Sequence, residues 1–99
     1  MDNDSPTGRF VVRDAFTLTK LGTCICGYVE SGGVRTGDEL RWSDGVADRQ
    51  TRCRGITIIR QVPPQDPPTI GLVVNDAPPS DFHAGMVISA VRPGARPSG

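Results

Sequence analysis

The sequence predicts an all-β domain, a small closed antiparallel barrel of six or seven short strands. Three observations carry that expectation. Apolar residues come in short segments that are interrupted at regular intervals. Gly 12 and Pro 9 supply backbone punctuation far beyond what long helices tolerate. No stretch of about ten residues holds a 3.6-residue apolar period.

The segments follow in order. Residues 9–18, with Phe10, Val11, Val12, Phe16 and Leu18, are rich in β-branched and aromatic side chains and read as a strand or a bulged strand pair. Residues 23–29 form a second strand, ending at Ser31-Gly32-Gly33, where glycine permits a reversal. Val34 to Asp38 is a turn, and Glu39-Leu40-Arg41-Trp42 alternates polar with apolar as a half-buried strand does. Asp44-Gly45 marks a hairpin tip. Residues 51–62 are the longest periodic stretch, with Ile56, Ile58, Ile59 and Val62 as its apolar content. Four prolines among Pro63-Pro64-Gln65-Asp66-Pro67-Pro68 impose a stiff extended loop, expected to act as a rigid connector. Residues 69–74 and 86–91 are the last strands, separated by the loop from Asp76 to Gly85. The barrel is thus expected over residues 9–91, between polar tails at 1–8 and 92–99.

Several function classes are excluded or disfavoured by composition. No apolar run reaches the ~20 residues needed to span a bilayer, so no membrane partner is expected. The acidic start, Met1-Asp2-Asn3-Asp4, has no apolar core of a secretory signal. Three cysteines make an odd count that suits a reducing, cytoplasmic setting better than a disulfide framework. Lys+Arg 11 balances Asp+Glu 11, so no global field draws the chain to nucleic acid. Lys20 is the one lysine, and every other basic residue is arginine.

Candidate chemistry is sparse. Cys24, Cys26, Cys53 and His83 are the ligand types of a tetrahedral zinc site, and Cys24 and Cys26 share one strand face. The Cys-x-Cys spacing is not that of a zinc knuckle, and core packing of the cysteines is the expected outcome, with no metal and no cofactor. His83 lies two residues from Asp81 without an assignable nucleophile, so a solvated loop histidine is expected and no catalytic residue is named. Arg52 and Arg54 alternate along one strand, with Arg60 further along the same period. With Arg41 and Arg49 they form a candidate basic stripe for a partner or RNA, which Asp38, Asp44 and Asp48 partly neutralise. Trp42, alternating with Arg41, is expected in the core and not as a stacking platform.

The series Gly22-Thr23…Gly27-Tyr28-Val29-Glu30-Ser31-Gly32…Gly37-Asp38-Glu39-Leu40 resembles the second domain of elongation factor Tu and related translational GTPases, a β-barrel. The resemblance runs from Phe10 to Val91 and includes Asp14, Phe16, Leu18 and Gly85. It implies a framework, expressed as a non-enzymatic binding module that engages a protein or a second copy of itself. The alternative it implies is an RNA-binding accessory of translation, for tRNA or rRNA. The family's nucleotide site belongs to another domain with a Gly-x-x-x-x-Gly-Lys-Ser/Thr loop; no such pattern occurs here, so GTP binding by this chain alone is not expected. Where the family holds acceptor-end polar residues, this chain has Leu21, Thr57 and Pro68-Thr69.

Overall fold

The computed structural model describes residues 6–43, 45–59 and 67–92. Seven strands and one short 3₁₀ helix follow in chain order: β1 (Gly8–Leu18), β2 (Gly22–Gly32), β3 (Glu39–Ser43), β4 (Asp48–Arg52), β5 (Gly55–Ile58), β6 (Ile70–Val74), the 3₁₀ turn Pro79–Asp81, and β7 (Val87–Val91). All pair antiparallel in one sheet of order β4-β3-β7-β1-β2-β6-β5.

The all-β expectation holds, but the closed barrel does not. No ladder joins β4 to β5, which stand at opposite ends of the sheet order among the described residues. The reason is covalent. β4 and β5 follow one another along a single stretch of chain, and segments laid end to end cannot pair side by side. The chain changes partner at Cys53-Arg54. Cys53 N–H donates to Asp38 O at 2.9 Å on the β3 side, whereas Arg54 N–H donates to Val73 O at 2.7 Å on the β6 side. The chain thus passes from one end of the sheet order to the other at this point. The single strand expected over 51–62 is this broken pair, and its end at residues 60–62 lies outside the described residues, as do Asp44 and Pro63 to Asp66.

Other boundaries moved for identifiable reasons. Gly8, assigned to the tail by composition, belongs to the sheet, and Thr7 is tied to it. Thr7 N–H donates to Ala90 O at 2.7 Å, and Gly8 pairs with Gly32 and Ala90. The same pairing carries β2 through Ser31 and Gly32, where a reversal was expected. Gly37 does make its turn in the left-handed region, at φ 96°. Gly27 is needed for space. A Cβ there would collide with Val11 O and stand 2.9 Å from Phe10 Cε2, so β1 and β2 could not approach as they do.

Alternation assigns the faces. Phe10, Val12, Ile25, Leu40, Trp42, Leu72, Val74, Phe82 and Ile88 fill the inner face. Trp42 is buried as expected and packs against Phe82 with ring centroids 4.9 Å apart. The opposite, outer face carries Arg9, Asp14, Cys24, Cys26, Arg41, Gln50 and Ser89 by the same register.

Candidate interaction surface

The arginines expected to form a stripe fall to different neighbours. Arg41 is half-buried on β3 and grips its own strand: Nε and Nη2 donate to Glu39 Oε1 at 2.9 and 2.6 Å. Arg52 stands opposite Glu39 on β4, and its Nη1 donates to Gly37 O at 3.2 Å. Arg54, past the change of partner, turns to the other edge, where Nε donates to Asn75 Oδ1 at 3.2 Å. Arg49 pairs with Trp42 across β3 and β4. Arg60 lies outside the described residues.

Register brings a different basic pair together. Gln50, Arg41, Ser89, Arg9 and Ser31 are successive cross-strand partners over β4, β3, β7, β1 and β2. Small Ser89 separates Arg41 from Arg9 and floors two open grooves of about 580 and 470 Å³ that share Pro6 as a wall. Arg9 was not singled out in the sequence, because its cross-strand neighbours are distant in the chain. Carboxylates accompany the row: Arg9 Nε lies 3.4 Å from Glu30 Oε1, and Asp48 borders the larger groove.

All three cysteines are buried as expected, but of them only Cys53 belongs to the core cluster. Cys24, Cys26 and Cys53 are buried free thiols, and Cys24 Sγ lies 3.8 Å from Cys26 Sγ on the outer face of β2. Burial, reinforced by the neighbouring Cys24, pushes the Cys26 thiol up to about 12. Burial likewise raises Cys24 and Cys53 above the ordinary thiol value. Such thiols are protonated near neutrality and poor nucleophiles. His83 is exposed after the 3₁₀ turn. No group of three or more His, Cys, Asp or Glu that could hold a metal occurs among the described residues.

What sequence reasoning missed is the exposure of β5. Ile56 opposes Leu72 and Ile58 opposes Ile70, so both isoleucines lie on the core face. Being at the sheet edge, they remain 40% and 75% exposed. Thr57 and Gly55 occupy the other face, where Thr57 Cγ2 and Cys24 Sγ crowd Gly71. At the far end of β6, Arg13 stacks on Tyr28 with its guanidinium carbon 4.6 Å from the ring centroid. Arg13 Nη1 donates to Pro67 O at 2.9 Å and to Thr69 Oγ1 at 2.5 Å. That clamp fixes where the chain enters β6, the strand that orients β5.

Among the described residues no helix is long and apolar enough to cross a membrane. No family model matches the chain.

Proposed function

We propose that this chain is a non-enzymatic binding module, similar in plan to the second domain of translational GTPases, that grips another protein. The observation that carries the reading is the apolar row Ile56 and Ile58 on an edge strand with nothing paired to its outer side among the described residues. Exposed apolar side chains beside unpaired strand N–H and C=O groups are surfaces that proteins ordinarily blunt, and that partners use when they are not blunted. The antiparallel frame, the tight approach at Gly27 and the left-handed Gly37 support the kinship. The raised thiols support holding over transforming, since a nucleophile needs the opposite shift.

The test is affinity capture from the native cell with wild-type chain and Ile58→Asp, each with and without ribonuclease. A protein retained by wild type, lost with the variant and indifferent to ribonuclease supports the reading. Equal capture by both chains, or none by either, overturns it.

A second reading, RNA binding, is favoured by one observation, the Arg41–Ser89–Arg9 row along its grooves. It requires affinity for tRNA or rRNA that falls steeply with salt and weakens in Arg9→Ala and Arg41→Ala. No retention at low ionic strength rejects it.

A further inference from the structure

The two edges of the sheet are built differently. β4 reads Asp48-Arg49-Gln50-Thr51-Arg52, a charged edge of the kind that resists strand addition. β5 reads Gly55-Ile56-Thr57-Ile58, with no charge and no proline. Its chain is held on the β6 side alone, from Arg54 N–H on Val73 O at 2.7 Å to Ile59 N–H on Thr69 O at 3.1 Å. On the other side the last tie is Cys53, which both donates to Asp38 O and accepts from Gly37 N–H. Beyond it the outer edge of β5 is open among the described residues.

We infer that this edge accepts an extended segment of a partner protein, paired antiparallel to β5, with the pattern apolar–any–apolar–acidic from its N- to its C-terminus. The inference rests on the protein-binding reading and names the chemistry of the partner. Antiparallel pairing follows every ladder of this sheet and is the stronger mode. In that direction the partner's first residue stands across from Ile58 and its third across from Ile56, while its fourth, across from Gly55, lies on the face that also carries Arg54, because Arg54 and Gly55 both stand opposite Val73. The two apolar residues extend the row that runs from Ile70 and Leu72 through Ile58 and Ile56.

The fourth position is decided by charge. Arg54 is exposed, and its guanidinium meets a neutral amide oxygen, that of Asn75, in place of a carboxylate. A carboxylate across the new ladder therefore gains a charge-assisted hydrogen bond. A second copy of β5 cannot supply one, because residues 53–62 contain no Asp or Glu. Charge thus selects a partner of different sequence over self-pairing.

The experiment is an NMR titration of the full ¹⁵N-labelled chain with two blocked peptides, Thr-Val-Ser-Val-Glu-Ser-Thr and the same sequence with Lys replacing Glu. The expected result is shifted amides and slowed exchange confined to Gly55–Ile58 and its flanks. The Glu peptide should bind about threefold to fivefold tighter than the Lys peptide, and Arg54→Glu should invert that order. Ile56→Pro, which removes an N–H that faces away from β6 and is checked for folding by circular dichroism, and Ile58→Asp, at a position exposed enough to leave the fold intact, should both abolish the response. Shifts centred elsewhere, equal binding of both peptides, or dimerisation through β5 in place of peptide binding overturn the inference. If neither peptide perturbs β5 while Ile58-dependent capture from the cell persists, the strand-acceptor inference falls and the protein-binding reading stands. If capture fails as well, both fall.

Discussion

Asp38 shows how one side chain can hold the place where the sheet changes direction. It is 2% exposed, and its Oδ2 accepts the Arg35 N–H at 2.9 Å while its own carbonyl accepts the Cys53 N–H. Removing the carboxylate takes away the acceptor of the part-buried Arg35 N–H, so Asp38→Ala is expected to cost about 0.5–1.5 kcal/mol in urea unfolding. Asp38→Asn keeps an acceptor and should cost distinctly less. Cys26 gives a second residue-scale expectation, in pH. Its thiol is raised from 9.0 to about 12 by burial and by Cys24. A raised folded value means that the stabilisation is complete below pH 9 and is lost as pH climbs toward 12. Melting temperature should therefore decline across that window, and Cys26→Ala should make the decline shallower. An identical slope in the variant would assign the loss to other groups.

At the scale of elements, β6 is constrained from both faces. Leu72 and Val74 are fully buried in the core, and on the other face Gly71 has no room for a side chain. A Cβ at Gly71 would stand 2.6 Å from Cys24 Sγ and 2.9 Å from Thr57 Cγ2. Gly71→Ala is accordingly expected to destabilise by about 1–3 kcal/mol through overpacking. Chemical unfolding of Gly71→Ala with and without Cys24→Ala checks the cause, since a smaller residue at 24 should recover part of the loss. β1 illustrates the converse, an element long enough to bend. Its register against β2 shifts between Arg9 and Phe10 and again between Val12 and Asp14. Those bulges let one strand pair with β7 at its start and with β2 along its length. The sequence left a plain strand and a bulged strand pair both open over residues 9–18, and the register shifts decide for bulges.

For the whole molecule, core and edge should separate cleanly under substitution. Leu72→Ala empties a site with no exposure and is expected to cost about 2–5 kcal/mol. Ile58→Asp changes a side chain that is 75% exposed and should stay within about 0.5 kcal/mol of wild type. Thermal and urea unfolding of the two variants measure the contrast. A large loss from Ile58→Asp would mean that the edge is part of the packed core and unavailable to a partner.

Strand identity was legible because it is local. Alternation along Glu39–Trp42 put Leu40 and Trp42 inside before any neighbour was known, and the positive φ at Gly37 follows from the turn that must precede them. Arg41, Arg52 and Arg54 could be picked out by the same two-residue period. Their fates could not. Whether an arginine meets Glu39, the Gly37 carbonyl or Asn75 depends on which strands lie beside it, and that is set by chain returning from far away. The sequence alone determined a β framework and its inward-facing residues, since steric preference and side-chain alternation act between near neighbours. Only the tertiary structure decided that the sheet ends at β4 and β5 without closing, and that Ile56 and Ile58 are left at its rim. Exposure is a property of what stands alongside a residue, and a strand's own letters do not record whether it has one neighbour or two.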